Sequence, residues 1–244
     1  MTRTFNRRRA LAAFGSVSLG ALLAACGDTG GDGKRDVATT DGGTTAVEPQ
    51  TKTRSDTAAL FGDSSSCTLT VQETEGPYYF DADSIRSDIR EDRDGTPLRL
   101  AIRVRDADSC KALRNAVVDI WHCDALGVYS GFQSARDERF LRGTQVTSSD
   151  GIVEFETVYP GWYQGRTTHI HAKVHVDNST VLTTQLFFDE DVTALVYKDK
   201  PYSERQGRDT FNDNDGIFDQ SLVLDLSRED KGYLGVISFD VQSA

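Results

Sequence analysis

The 244-residue chain lacks any apolar run of the roughly 20 residues that cross a bilayer as a helix. It has no P-loop and no glycine-rich dinucleotide fingerprint after a strand, so phosphate-cradling chemistry has no candidate. Positive charge is scarce: 27 Lys and Arg face 38 Asp and Glu, for a net charge of −11. Four of the basic residues, Arg3, Arg7, Arg8 and Arg9, fall in the first nine positions, and residues 1–25 contain no acid, so the rest of the chain is more acidic still. Binding to nucleic acid through phosphates needs Lys/Arg-rich faces, and an acidic body excludes it. There is no internal repeat. Cysteine and histidine are both sparse, at four each.

What is present begins with an address. The basic residues 1–9 precede a short apolar stretch, Ala10 to Ala25, too short and wrongly flanked for a stable span; this reads as a signal peptide. Arg7-Arg8-Arg9 contains a twin arginine of the kind used for export of folded proteins. Leu23-Ala24-Ala25-Cys26 resembles a bacterial lipobox, which makes Cys26 the expected lipidation site and mature N-terminus. The expected location is the outer, extracytoplasmic face of a bacterial cell membrane, held through lipidated Cys26. Residues 27–66 are rich in Gly, Thr, Ser and Asp with few aromatics, so they are expected to be a flexible tether, with the folded domain over 67–244.

After Cys26, three cysteines remain: Cys67, Cys110 and Cys123. Outside the cytoplasm one intramolecular disulfide is allowed, and an odd count leaves one thiol free. Cys110 and Cys123 read as the tip and the far end of one hairpin strand, beyond bridging distance, so Cys67 is the expected partner of one of them. Their spacing does not resemble a zinc site.

The body reads as β. Residues 98–106, Leu-Arg-Leu-Ala-Ile-Arg-Val-Arg-Asp, alternate apolar and charged side chains, as a half-buried strand does. Further strands are expected at 116–122, 144–147, 153–157, 168–176, 182–188 and 233–241, with turns at Ser149-Asp-Gly151, Pro160-Gly161 and Asp213-Asn-Asp-Gly216. Helix is minor, with 191–197 the best candidate. The expected fold class is all-β: a single antiparallel β-sandwich with minor helix.

The chemistry centres on His169-Ile-His171. On a strand, residues i and i+2 share a face at ~6.5 Å, so two imidazoles can converge on one metal. Tyr163, in Pro160-Gly-Trp-Tyr-Gln-Gly-Arg166, sits in a turn just ahead of that strand. Trp121-His-Cys-Asp-Ala-Leu-Gly127-Val-Tyr129 ends another strand in a glycine turn and a second phenol. Two phenols and two imidazoles make a hard oxygen and nitrogen set, which suits ferric iron better than zinc or copper. A trivalent cation would hold both phenols ionised, and with a hydroxide the centre is locally neutral, so it can be partly buried.

At this point the chain resembles a known family. Asp119-Ile-Trp-His-Cys-Asp-Ala-Leu-Gly-Val-Tyr129, followed by Pro160-Gly-Trp-Tyr163, Arg166 and His169-Ile-His171, resembles the intradiol ring-cleavage dioxygenases that act on catechol and protocatechuate. Thr74-Glu-Gly-Pro-Tyr-Tyr79 resembles their entrance segment, and Thr184-Gln-Leu-Phe-Phe188 their following strand. The resemblance implies an Fe(III) enzyme whose partners are a catechol-type substrate and O2 and whose product is a cis,cis-muconate-type diacid. It implies Tyr129, Tyr163, His169 and His171 as iron ligands. It implies Tyr163 as a phenolate that leaves the metal and takes a substrate proton, Arg166 as the stabiliser of charge on the ring, and Gln185 as a hydrogen-bonding residue behind the ligands. Tyr78 and Tyr79 either line the pocket or pack as core.

Two features depart from the family. The loop between Tyr163 and His169 is shorter than in protocatechuate enzymes, and a long helical dimerisation region is missing from the N-terminal side. His175 lies too far along its strand to share the metal, and His122 reads as packing. Asp213-Asn-Asp-Gly216 reads as a solvated turn, because Phe211 stands where a calcium loop needs its first ligand. Two other readings stand beside this one. A cupin-type His-x-His enzyme would need a further Glu and a downstream His, and no His follows His175. A lipid-anchored β-sandwich binding module would need no metal.

Overall fold

The computed structural model describes residues 35–38, 43–47, 55–62, 66–80, 82, 84–177 and 179–242. The expected signal peptide and Cys26 lie outside the described residues. Strand alternation builds two four-stranded sheets. The strands and helices are, in chain order, β1 (Arg35–Ala38), β2 (Thr44–Val47), α1 (Ser55–Leu60), β3 (Pro97–Asp106), β4 (Val117–Trp121), β5 (Arg142–Val146), β6 (Ile152–Val158), β7 (His169–Val176), β8 (Ser179–Phe187), α2 (Glu190–Val196), β9 (Asp225–Glu229) and β10 (Gly232–Val241). One sheet runs β6-β3-β10-β9 and the other β5-β4-β7-β8. Among the described residues, no helix is long and apolar enough to cross a membrane.

The inner faces meet as the alternation predicts. Leu98, Leu100, Ile102 and Val104 of β3 face Val118 and Ile120 of β4 and Ile170, Ala172 and Val174 of β7 in one buried cluster. The expected sandwich is therefore present, with one difference: β10 pairs with β3 in parallel, Tyr233 opposite Leu98 through Val241 opposite Asp106. A parallel neighbour needs a long crossover, and nearly the whole chain between the two strands supplies it.

Three elements, β1, β2 and α1, lie in the stretch expected to be a flexible tether. β1 and β2 form a hairpin whose Val47 packs with Val117 and Val146. After α1, Phe61 is buried against Ala101, Ile152, Leu234 and Val236 on the outer face of the first sheet. Burial of an aromatic ring on an apolar sheet face offsets the entropy of ordering a short segment, and composition alone does not show that face. Cys67 is bonded to Cys110, and Cys123 is a buried free thiol.

Candidate metal centre

The site lies on the outer face of the second sheet. Because alternate side chains point outward, the register puts Arg142, Trp121, His171 and Gln185 in one row across β5, β4, β7 and β8. His169 stands two residues before His171 on the same face, and both are almost fully buried. Their Nε2 atoms lie 3.1 Å apart. Tyr163 Oη is 3.1 Å from His169 Nε2. The Tyr129 ring centroid is 5.7 Å from that of Tyr163 and 6.2 Å from that of His171. The four side chains singled out by the sequence thus surround one point.

Local structure explains the convergence. Asp124 folds the turn after β4 by accepting the backbone N–H groups of Leu126 and Val128, both at 2.9 Å. Gly127 has φ +82°, and a Cβ there would meet the Trp162 carbonyl oxygen at 2.3 Å. Only glycine lets this turn lie against the Pro160–Tyr163 loop, which brings the two phenols together. The entrance segment closes the other side. Glu73 N–H donates to Thr183 O, Gln185 Nε2 donates to Thr74 O, and Tyr78 stacks on Tyr129 at 4.3 Å. Tyr79 turns away, packing against Trp121 with the Lys173 ammonium 3.7 Å from its ring centroid. Tyr78, not Tyr79, therefore faces the cluster.

The donor set fits a metal cation. His169 Nδ1 is 2.7 Å from Thr167 O, a carbonyl that can only accept, so Nδ1 carries the proton and Nε2 presents a lone pair to the cluster. Burial first, then the Arg166 guanidinium, lowers the His169 pKa to about 3. Burial, then His169 itself, holds His171 well below the usual imidazole range. Both imidazoles are therefore neutral at ordinary pH. The ring of His171 is fixed by stacking on Trp121, 4.9 Å away and 3° from parallel. Tyr129 Oη is buried without a hydrogen-bond partner. Burial, then the neighbouring Cys123 and Tyr163, raises its pKa well above the ordinary phenol value. Burial pushes Tyr163 up to about 12, against the pull of Arg166. An orphaned buried phenol beside two neutral imidazoles is costly in isolation, and a hard cation would satisfy the phenol and the ring nitrogens that face it. Among the described residues no cluster of three His, Cys, Asp or Glu forms, so the phenols are the imidazoles' available co-ligands.

Arg166 and Gln185 sit beside the cluster and touch each other. Arg166 Nη2 donates to Gln185 Oε1 at 2.5 Å, and its Nε donates to Asp215 Oδ2 at 2.9 Å. Asp215 is thus a site residue that the sequence reading missed. The Asp213–Gly216 turn is not simply solvated, since the Asp215 side chain is 1% exposed and also accepts the Thr167 and Ile217 N–H groups. A run of turn residues hides a buried carboxylate from pattern reading. His122 is a packing residue, bonded to Cys123 O and Thr157 Oγ1. His175 pairs with Asp119 at 3.1 Å, away from the cluster.

The comparisons with known proteins point the same way. A family model described as Dioxygenase (Dioxygenase_C) matches residues 74–210. An intradiol ring-cleavage dioxygenase from Tetranychus urticae is 35% identical in sequence, with a TM-score of 0.68 over 72% of this chain and 96% of that one. The chain belongs to the intradiol ring-cleavage dioxygenases. The dioxygenase domain of a carbohydrate-binding fusion protein from Streptomyces sp. SirexAA-E matches at 31% identity and TM-score 0.57, over 72% of this chain and all (100%) of that one. Catechol 1,2-dioxygenase 1 of Acinetobacter lwoffii is 30% identical over 162 residues, which is 56% of this chain and 51% of that protein. The chain thus spans about half the length of the curated relatives it matches.

Proposed function

We propose that this family member is a non-haem Fe(III) enzyme that opens catechol-type rings with O2 to cis,cis-muconate-type diacids. The observation that carries this reading is the buried convergence of two neutral imidazoles and two phenols beside a guanidinium. Tyr129, Tyr163, His169 and His171 would hold the metal, which when bound supplies Lewis acidity and a template for both catechol oxygens. Tyr163 is half-buried where Tyr129 is almost fully enclosed. Tyr163 is therefore the phenol placed to take a proton from a substrate hydroxyl, while Tyr129 stays put. Arg166 stabilises negative charge that develops on the ring. Gln185 holds Arg166 on one side and the Thr74 carbonyl on the other, so it ties the entrance segment to the guanidinium. Tyr78 and Phe132 present aromatic surface beside the phenols and exclude water from that side.

The reading is tested by giving catechol and 18O2 to the iron-loaded full-length protein. It expects a ring-opened diacid carrying both labelled atoms. A quinone, a hydroxylated ring, or no product from metal-loaded protein would overturn it.

Export and anchoring through lipidated Cys26 belong to the same proposal. The Cys67–Cys110 disulfide supports an oxidising compartment. Cys26→Ser is expected to move the protein from the membrane fraction to the soluble fraction; unchanged partitioning would contradict the anchor.

A further inference from the structure

Arg166 lies beside the cluster, and its charge is already paired with Asp215. Its Nε bonds to Asp215 and one Nη2 hydrogen to Gln185, which leaves Nη1 as the terminal nitrogen without a hydrogen bond to the described residues. Asp215 itself is locked. One oxygen accepts from Arg166 and from the Thr167 backbone, and the other accepts from the Ile217 backbone at 2.9 Å. Burial would raise its pKa, but those amides and Arg166 outweigh burial and hold it below the usual carboxylate value. More negative charge lies nearby. Glu73 is shifted upward by burial and then by Asp219, with Asp215 adding to the same repulsion. Two other basic residues near the site are also paired: Lys173 of β7 with Glu75, and Arg208 with Glu190. A second anionic group on the ring would meet at Arg166 a cation already paired with Asp215, whereas Arg142, at the other end of the row, is held by Ser130 and not by a carboxylate.

We propose that Asp215 is a positioning and specificity-determining residue: it aims Arg166 and offsets part of its charge, so that the site discriminates against catechols carrying a ring carboxylate. This rests on the dioxygenase reading of the same site. The physical basis is Coulombic. Two unit charges about 12 Å apart at an effective dielectric near 20 interact strongly enough to change a binding ratio about tenfold. Asp215 supplies that unit of negative charge behind Arg166. Asn at the same position keeps one acceptor oxygen for Arg166 or Thr167 but removes the charge.

The test is an anaerobic titration of the iron-loaded full-length protein with catechol and with 3,4-dihydroxybenzoate, read as the shift of its visible absorption band. The wild type is expected to bind catechol more tightly than the carboxylated ring. Asp215→Asn is expected to move the ratio of the two dissociation constants about tenfold toward the carboxylated ring. Asp215→Glu is expected to keep the wild-type preference. Arg166→Gln gives an independent arm if the Asn variant fails to fold: with Asp215 left unpaired, binding of 3,4-dihydroxybenzoate is expected to fall further than binding of catechol. A role for Asp215 in folding alone would lower affinity for both ligands equally, and an unchanged ratio overturns the proposal. A wild type that binds both ligands equally also overturns it, with the dioxygenase reading intact. A wild type whose band shifts with neither ligand removes the dioxygenase reading and this proposal together.

Discussion

Tyr129 and Tyr163 are the same residue type in different surroundings, and the difference sets their expected behaviour. Tyr129 Oη is buried without a hydrogen bond of good geometry, though the Tyr163 hydroxyl acts on it, so its hydroxyl contributes little to the metal-free fold. Tyr129→Phe is predicted to leave the metal-free protein as stable or up to about 1 kcal/mol more stable, because an unsatisfied buried hydroxyl is removed. Its iron content, measured after reconstitution, is predicted to collapse. Tyr163 bonds to His169, so Tyr163→Phe is predicted to cost about 1 kcal/mol and to keep iron while turnover slows. Unchanged turnover in that variant would contradict the proton-accepting role. At this scale the sequence was informative where spacing carries geometry. His-x-His on a strand and a phenol at the end of each neighbouring loop predicted the cluster, and the four side chains do meet. Asp215 was not legible, because nothing in Asp-Asn-Asp-Gly shows that one carboxylate turns inward to meet Arg166.

At the scale of elements, the segment 67–80 that carries the entrance residues is held at two points. The disulfide fixes it at Cys67, and Gly76 abuts the site. Gly76 has φ +71°, and a Cβ there would lie 3.2 Å from His171 Cε1. Gly76→Ala is predicted to cost about 1 kcal/mol of stability through the left-handed backbone and to reduce metal affinity by displacing His171. Urea unfolding and iron titration would check the two parts. Replacing Cys67 and Cys110 with Ser opens a loop set by a sequence separation of 43, and the predicted loss is about 2–4 kcal/mol, measured as a lowered unfolding midpoint. β3 was legible because its apolar and charged side chains alternate. β9 was not, since its burial pattern is exposed at four of five positions and its side chains include Ser227, Arg228 and Glu229. The parallel pairing of β3 with β10 was also hidden, because periodicity reports a strand's faces and not its neighbours. α1 and Phe61 were hidden for a related reason: the apolar outer patch they cover exists only once the sheet is assembled.

For the whole molecule, the buried histidines set the acid limit of the metal-free state. Burial lowers His122 to about 4 and His169 to about 3, and His171 lies well below the ordinary value. The unfolded chain therefore binds protons below pH ~6.5 that the folded chain refuses. Stability is full above that pH and falls as the pH drops from there toward 4, by about 1.4 kcal/mol per pH unit for each histidine. Urea midpoints of metal-free protein at pH 7 and pH 5 are predicted to differ accordingly, and equal midpoints would contradict neutral burial. With metal bound, the same lone pairs are occupied, and the acid limit becomes the point of metal release. The account as a whole depends on two phenols and two imidazoles holding ferric iron at one point. The most direct measurement is the visible absorption spectrum of the purified full-length protein after ferric loading, before and after anaerobic addition of catechol. The protein is predicted to be coloured, with a broad phenolate-to-iron band that moves to longer wavelength with catechol. A preparation that stays colourless after ferric reconstitution would contradict it.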